Sequence, residues 1–257
     1  PAATVAVARR RRRRGRLSVV GLGPGAAAHR TAEAEGAVRR ADVVIGYGAY
    51  VDQCRDLLTP AQEVVRSPIG DEVVRAKQAL AEAAAGRTVA LVCSGDAGVY
   101  AMASIALELG GDEAPGLDVE VVPGVPAAVA AAALLGAPLG HDHAVVSLSD
   151  LLTPWSVIEG RLRAAAAADV AVALYNPRSA GRTWQLDAAR TICLEHRRAS
   201  TPVGVVTDAA RPGQTVTLTT LGALDPILVG MTTCVIVGSS STRVVDGRMV
   251  TPRGYRA

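Results

Sequence analysis

Short, uninterrupted apolar runs in the first half of the chain alternate with segments in which apolar residues recur at helical spacing. The runs predict strands at residues 17–20, 42–45, 88–93 and 119–122. The segments between them predict helices at residues 31–40, 50–58, 71–85, 101–109 and 127–135, the first with Thr31 as its N-cap. Strands that do not alternate between polar and apolar residues are buried on both faces, which is typical of a parallel sheet covered by helices.

The pattern starts again after a Gly- and Pro-containing stretch at residues 136–140, which we interpret as a linker. Strands are predicted at residues 144–148, 170–175, 203–207 and 234–237, and helices at 155–167 and 183–196. Residues 215–219 alternate, which predicts an antiparallel strand, and the tail from residue 244 predicts a hairpin or a loose end. We therefore predict two α/β domains, 17–135 and 136–257, with the active site in the cleft between them.

The composition is that of a globular protein without a membrane span. Hydrophobic residues make up 49% of the 257 residues and charged residues 20%, and no run of about 18 apolar residues occurs. The four cysteines lack the spacing of a metal site, so we expect no bound metal and a reducing, cytoplasmic location. Cys93 and Cys234 lie within apolar runs and are predicted to be buried.

The net charge of +3 comes from the start of the chain. Residues 1–16 hold seven arginines and no acid, so residues 17–257 carry a net charge of −4. Six like charges in a row predict a disordered Arg-rich leader over residues 1–16. Such a leader either binds nucleic acid or an anionic surface, or is a solvated extension left from a longer reading frame. We favour the second interpretation, because aromatic residues are only 3% of the chain and nothing else in it is typical of nucleic-acid recognition.

Three glycine turns follow predicted strands, at residues 21–25, 95–98 and 123–126. Ligands bind at the carboxyl ends of parallel strands, so each turn is a candidate binding element. A dinucleotide fits weakly, because Pro24 has no N–H for a pyrophosphate and Asp42 opens the second strand instead of ending it. A Rossmann-type methyltransferase would need an acid at the same strand end, and this chain lacks it there. A P-loop is excluded by the absence of a GKS or GKT motif. Turns of this kind favour a ligand without phosphate, and Asp96 is the only acid in them.

Together with the segments at 47–50 and 94–100, these turns resemble the tetrapyrrole methylase superfamily, S-adenosylmethionine-dependent enzymes of vitamin B12 and sirohaem synthesis. Segments of the second half resemble its precorrin-3B C17-methyltransferase branch, namely residues 135–142, 147–155, 173–179, 182–185 and 215–221. The resemblance covers about residues 17–243. It departs from the family at residues 26–29, where Ala-Ala-Ala-His replaces the usual acid.

The resemblance implies a set of S-adenosylmethionine contacts at matching positions. They are Pro24, Gly95, Asp96, Val99, Pro126, Ala127, Tyr175, Asn176, Ala210 and Thr233. The substrate is a tetrapyrrole with many carboxylates, which arginines in or beside the turns are placed to bind. The candidates are Arg66, Arg178, Arg182 and Arg211.

The reaction implied by the branch is methylation of C17 of precorrin-3B followed by contraction of the macrocycle to precorrin-4. Contraction requires a general base, for which we predict His141 with Asp142, while Asp150 orients that base or a pyrrole N–H. The resemblance also implies a homodimer, while the composition predicts no nucleic-acid or membrane partner. The alternatives are another methyltransferase of the same pathway, the cobalt-containing counterpart of this one, an NAD-dependent oxidoreductase, and a nucleic-acid-binding module acting through the arginine leader.

Overall fold

The computed structural model describes residues 15–255. The chain separates into two compact units that are not continuous in sequence. The first unit runs to Leu22 and resumes from Arg30 to Gly124, and the second consists of Gly23–His29 together with the chain from Val125 onward.

The first unit is a five-stranded sheet flanked by helices. Its strands are β1 (Arg16–Gly21), β2 (Val43–Tyr47), β3 (Glu63–Ser67), β4 (Thr88–Cys93) and β5 (Asp118–Val122), in the order β3-β2-β4-β1-β5. Its helices are α1 (Ala32–Arg40), α2 (Gly48–Gln53), α3 (Glu72–Ala84) and α4 (Ala103–Glu113). All neighbouring strands are parallel, so their carboxyl ends meet at one edge of the sheet. The three central strands are buried on both faces, as the unbroken apolar runs predict.

The second unit contains a mixed sheet. Its helices are α5 (Ala127–Leu135), α6 (Trp155–Ala167) and α7 (Gln185–Leu194). The strands are β7 (His143–Ser147), β8 (Ala171–Tyr175), β9 (Pro202–Thr207), β10 (Thr215–Thr220) and β11 (Thr233–Val237), in the order β10-β9-β11-β8-β7. A smaller sheet joins β6 (Gly136–Ala137) to the hairpin of β12 (Arg243–Val245) and β13 (Arg248–Val250).

Strand direction in the mixed sheet defines the edge that matters for the site. Strands β7 and β8 are parallel, and both β8 and β9 are antiparallel to β11, so β7, β8 and β9 all run the same way. Their carboxyl ends, at Ser147, Tyr175 and Thr207, therefore lie at one edge. The first residue of β11, Thr233, pairs with Thr207 at that same edge.

Most predicted elements are present, and the predicted antiparallel strand is β10. The sequence did not predict β3, because this edge strand lacks a buried apolar run. The stretch interpreted as a linker contains β6, which pairs with β13. Helix α5, assigned from the sequence to the first domain, packs on the second sheet instead. Its residues Ala128, Ala131 and Leu135 share a buried cluster with Ala173 and Ile236.

The prediction that the disordered leader extends to residue 16 is wrong, because Arg16 is the first residue of β1. Its side chain lies 3.3 Å from Asp118 Oδ2 and 2.8 Å from Glu120 Oε1. The prediction for residues 1–14 lies outside the described residues. Within the described part, none of the helices has both the length and the apolar character needed to cross a membrane. Cys93 and Cys234 are buried, as predicted, and so are Cys54 and Cys193.

Candidate functional site

Gly21, Gly95 and Gly124, one from each of the three glycine turns, lie against one another in the first unit, at the carboxyl edge of the parallel sheet. A Cβ added to Gly21 would lie 2.8 Å from both the Gly95 carbonyl oxygen and the Gly124 nitrogen. A Cβ added to Gly124 would lie 2.2 Å from the Gly95 oxygen. Real Cβ atoms do not approach this closely, so glycine is needed for the turns to meet. The grouping of turns predicted from the sequence is therefore present.

Asp96 joins two of these turns through its carboxylate. Its Oδ1 accepts a hydrogen bond from the Gly98 N–H at 2.8 Å, and its Oδ2 accepts one from the Gly124 N–H at 2.9 Å. Val99 lies half-buried in the same turn. A carboxylate has about four lone-pair sites, so each Asp96 oxygen keeps capacity for one further donor. Gly95, Asp96 and Val99, which are predicted contacts of S-adenosylmethionine, thus occupy one edge of the first unit.

In the second unit, the Gly-Pro-Gly turn is held by Arg211. The Arg211 Nε donates to the Pro24 carbonyl oxygen at 2.6 Å. A Cβ on Gly25 would lie 2.4 Å from Arg211 Cγ and 2.6 Å from the Ala210 oxygen. Ala210 has a φ of +58°, a conformation that is strained for a residue with a Cβ. Pro24 and Ala210, both predicted contacts of S-adenosylmethionine, are thereby brought together. The Arg211 Nε is used for a hydrogen bond within the protein.

Tyr175 connects the end of β8 to the start of α5. Its hydroxyl accepts a hydrogen bond from the Ala128 N–H at 2.8 Å. No side chain caps this helix at Pro126, so the tyrosine satisfies one of the amides that a helix start leaves without an intrahelical partner. The bond places Pro126 and Ala127 beside the carboxyl edge of the second sheet, with Tyr175.

A polar network continues along this edge from Asn176. The Asn176 Nδ2 donates to Ser147 Oγ at 3.0 Å, and its carbonyl oxygen accepts from Arg182 Nε at 2.7 Å. The Arg182 Nη1 donates to Ser149 Oγ at 3.3 Å. Asn176 has a φ of +49°, a left-handed conformation that asparagine tolerates better than most residues. The network fixes both Asn176 and Arg182, two predicted site residues.

Asp150 and Thr233 also lie at this edge, each with a polar partner. The Asp150 Oδ2 accepts a hydrogen bond from Gln185 Nε2 at 3.0 Å. The hydroxyls of Thr233 and Thr207 are 2.8 Å apart. Ser147, Thr207 and Gln185 were not predicted. The first two stand at the ends of predicted strands, which is the signal that could have found them.

His141 and Asp142 are not brought to this edge. They precede His143, which pairs with Ala171 at the amino end of the β7–β8 pair, while Ser147 and Tyr175 pair at the carboxyl end. At a rise of about 3.3 Å per residue, the length of β7 separates the two ends by about 13 Å. His141 is exposed, and its Nδ1 accepts a hydrogen bond from the Asp142 N–H at 2.7 Å. The structure thus separates these two predicted catalytic residues from Asp150.

Arg66 is engaged by a neighbour within the first unit. Its Nη2 lies 2.5 Å from Asp52 Oδ1, and its Nη1 donates to Asp52 Oδ2 at 3.1 Å and to the Gly48 carbonyl oxygen at 3.3 Å. The hydrogen bond between the two side chains raises the pKa of Arg66 and lowers that of Asp52. A substrate carboxylate at Arg66 would compete with Asp52. Arg178 lies half-buried in the turn between Asn176 and Arg182, so it is placed with the other site residues of the second unit.

Comparison with known proteins identifies the fold that carries these turns. A family model described as Tetrapyrrole (Corrin/Porphyrin) Methylases matches residues 16–225, which is most of the chain. The chain belongs to the tetrapyrrole methylase family. The superfamily predicted from the glycine turns is therefore confirmed.

Relatives of this tetrapyrrole methylase carry the name of the predicted branch. The chain is 47% identical over 239 residues to the probable cobalt-factor III C(17)-methyltransferase of Salmonella typhimurium, covering 93% of this chain and 99% of that protein. It is 44% identical over 249 residues to the precorrin-3B C(17)-methyltransferase of a Sinorhizobium species, covering 94% and 97%. Among solved structures, that of the methyltransferase CobJ matches with a TM-score of 0.89 and 37% identity, over 93% of this chain and 100% of that one.

Some curated relatives of this methylase are longer than the chain. The chain spans 46% of the length of one and 53% of the length of another.

Proposed function

We propose that this tetrapyrrole methylase transfers a methyl group from S-adenosylmethionine to C17 of a precorrin-3B-type macrocycle and contracts the ring to the precorrin-4 level. The observation that carries the proposal is the carboxyl edge of the second sheet. Tyr175 ends β8 at this edge, and Arg182 is hydrogen-bonded to the next residue, Asn176. Pro24 is hydrogen-bonded to Arg211, which follows β9. These are residues that we propose as contacts of the methyl donor and of the substrate. The names of the relatives support the choice of C17.

The polar groups at this edge fit a methyl donor that carries a ribose and an adenine but no phosphate. Thr207, Thr233 and Asn176 offer neutral hydroxyl and amide groups, and the Tyr175 hydroxyl is held by a backbone N–H. The guanidinium of Arg211 is directed to the Pro24 carbonyl oxygen. When bound, S-adenosylmethionine supplies a methyl group already activated on a positively charged sulfur.

The main contribution of the protein to methyl transfer is to hold C17 in line with that methyl group. The carbon that attacks is enamine-like, so positioning supplies most of what the step needs. The methyl–sulfur bond would break as the new C–C bond forms, and its electron pair would remain on sulfur, so the positive charge on the sulfur is lost and the product is S-adenosylhomocysteine. We propose Gly95, Asp96 and Val99 as contacts of S-adenosylmethionine, as the sequence resemblance implies.

Ring contraction requires a group that takes a hydroxyl proton from the substrate while a C–C bond migrates. Of the three predicted catalytic residues, only Asp150 follows β7 near the edge where Tyr175 ends β8. Gln185 Nε2 donates to its Oδ2, so the carboxylate is held in place while Oδ1 is the oxygen we propose for the proton transfer. We propose Asp150 as the proton acceptor, or as the group that positions a pyrrole N–H for the same step.

Arg182 is suited to bind one of the peripheral carboxylates of the substrate. Two of its nitrogens, Nε and Nη1, are fixed by Asn176 and Ser149. The remaining nitrogen, Nη2, therefore sits on a guanidinium that is already oriented, which reduces the entropy lost on binding. Arg178, in the same turn, provides a second positive charge.

Incubation with S-adenosylmethionine and a defined tetrapyrrole tests the proposed reaction. Precorrin-3B and cobalt-factor III are supplied in parallel reactions, and the products are identified by mass spectrometry with S-adenosylhomocysteine measured alongside. We expect one added methyl group and a contracted ring for at least one of the two substrates. Methylation of an earlier precorrin, with neither of these two converted, would contradict the proposal. Which substrate is converted faster decides between the cobalt-free and the cobalt-containing reaction.

We further propose that the protein acts in the cytoplasm, as its cysteine inventory indicates, and that it forms a homodimer, as the sequence resemblance implies. Light scattering coupled to gel filtration measures the assembly state directly. A monomer at micromolar concentration would contradict the dimer.

A further inference from the structure

Two consecutive leucines stand almost fully exposed in the loop that follows β7. Leu151 is 83% exposed and Leu152 is 93% exposed. They come a few residues after Ser147, at the carboxyl edge of the second sheet. Single exposed apolar side chains are common, but contiguous apolar patches of this kind mark binding surfaces.

The same loop leads into an aromatic pair. Trp155 begins α6 and Trp184 immediately precedes α7, and their ring centroids are 4.8 Å apart at an interplanar angle of 69°. These are the only two tryptophans in the chain. Trp155 packs against the buried core, whereas Trp184 remains 48% exposed. An aromatic side chain anchored on the core is thus presented at the protein surface.

Hydrogen bonds hold the two residues just before the leucines, and α6 begins at Trp155, shortly after them. The Ser149 N–H donates to Ser147 Oγ at 3.2 Å. Asp150 is held by Gln185, which is only 2% exposed. The Gln185 Oε1 also accepts a hydrogen bond from the Trp184 N–H at 3.2 Å. One buried amide side chain therefore positions the loop and the start of α7 together.

We propose that Leu151, Leu152 and Trp184 form an apolar platform that binds one face of the tetrapyrrole macrocycle. The proposal rests on the substrate class of the proposed function, but not on the carbon that is methylated. A tetrapyrrole is a broad apolar ring with carboxylates on its periphery. Its face matches the leucines and the indole, and its carboxylates match Arg182 and Arg178, which lie in the turn just before Trp184.

Substitutions on the apolar platform test the proposal through binding. The double variant Leu151→Asn with Leu152→Asn removes the leucines from exposed positions, so the fold is retained. Trp184→Ala removes the indole, and Trp184→Phe keeps an aromatic ring. The matched control is Val244→Thr with Val245→Thr, an exposed apolar pair in β12, which belongs to the smaller sheet. Affinity for cobalt-factor III is measured by visible-absorption titration, and affinity for S-adenosylhomocysteine by calorimetry.

We expect the leucine variant and Trp184→Ala each to weaken cobalt-factor III binding by about tenfold or more, as loss of this apolar contact area implies. Trp184→Phe and the β12 control should stay within about threefold of wild type, and S-adenosylhomocysteine affinity should not change in any variant. Wild-type affinity in the leucine variant would overturn the apolar platform, and so would failure of the wild-type protein to bind the tetrapyrrole.

The outcome for the apolar platform is separable from the outcome for the proposed reaction. If cobalt-factor III binds and the platform variants lose it while the wild-type protein forms no C17-methylated product, the platform stands and the reaction is wrong. If product forms with unchanged KM in the platform variants, the reaction stands and the platform is wrong.

Discussion

Gly124 has only a hydrogen atom as its side chain, and this allows its backbone to pack against Gly21 and Gly95, where a methyl group would not fit. The sequence predicted where these turns lie, because Pro and Gly after an apolar run mark a strand end. The sequence did not predict that the Asp96 carboxylate accepts hydrogen bonds from the N–H groups of Gly98 and Gly124. The second of these bonds spans 28 residues, and only the folded sheet brings its two ends together.

Replacing Gly124 with alanine tests the close approach of the turns. The new Cβ would lie 2.2 Å from the Gly95 oxygen and 2.7 Å from the Gly21 oxygen, both of them backbone atoms that cannot rotate away. We expect the free energy of unfolding, measured by urea denaturation, to fall by at least about 3 kcal/mol.

The matched control for this change is Gly160→Ala on the surface of α6, where a Cβ meets nothing within 4 Å. Alanine there should stabilise the protein by about 0.5–1 kcal/mol, since glycine is unfavourable within a helix. Equal effects of the two alanines would contradict the geometry of the turns.

At the scale of elements, hydrophobic patterning predicted most strands and helices, but it did not always predict which sheet a helix packs against. Helix α5 is apolar on nearly all faces, so its pattern could not indicate which sheet it covers. The hydrogen bond from the Ala128 N–H to the Tyr175 hydroxyl links the start of α5 to β8 and so to the second sheet. Strand β7 shows the opposite limit. Its pattern was recognised, and a strand between His141 and Asp150 already places these two residues at opposite ends, but the prediction of both as catalytic residues did not take that separation into account.

Tyr175→Phe removes only the hydroxyl that the Ala128 N–H needs. Ala128 is buried, so its amide would be left without this partner, and we expect a loss of about 1–2 kcal/mol in the free energy of unfolding. Hydrogen exchange at the Ala128 amide should become faster, which locates the effect at the start of α5. Tyr255→Phe, at an exposed tyrosine near the end of the chain, is the control and should change neither measurement.

His141→Ala and Asp150→Asn together decide which end of β7 carries the chemistry. Because His141 lies at the amino end of the strand, its loss should leave the rate of ring contraction within about threefold of wild type. Asp150→Asn should lower that rate by about a hundredfold or more, since it removes the proposed proton acceptor. Methylation and contraction are followed separately by mass spectrometry. A contraction-deficient His141→Ala with an active Asp150→Asn would reverse the assignment.

At the scale of the whole molecule, the two sheets have cores made largely of Ala, Val and Leu, in keeping with a chain that contains no Phe. The sequence predicted two α/β domains, but it placed their boundary at residue 135, whereas the structural division follows Gly124. It also could not predict that Gly23–His29 groups with the second unit, because that grouping depends on Arg211 far along the chain.

The buried thiols make stability sensitive to alkaline pH. Burial raises the pKa of Cys54 and Cys93 to about 11 and that of Cys234 to about 12. In the unfolded chain a thiol loses its proton near pH 8.5. Below that pH the thiols are protonated in both the folded and the unfolded chain, and the free energy of unfolding has its full value. As the pH rises toward 11, only the unfolded chain loses these protons, so the free energy of unfolding decreases.

We therefore expect the free energy of unfolding to decrease between about pH 9 and pH 11. The Cys234→Ala variant should show a shallower decrease over the same interval, because one of these thiols is absent. Identical slopes for the variant and the wild-type protein would contradict this account of the alkaline transition.

The grouping of Gly23–His29 with the second unit has a consequence for dividing the gene. The polypeptide passes from one unit to the other three times, after Leu22, after His29 and after Gly124. A cut between Gly124 and Val125 would leave the downstream fragment without the peptide oxygen of Pro24 that Arg211 binds. The two halves are therefore poor candidates for separate expression. A split-protein reporter built at that junction would need to carry a copy of the short upstream segment on its downstream piece.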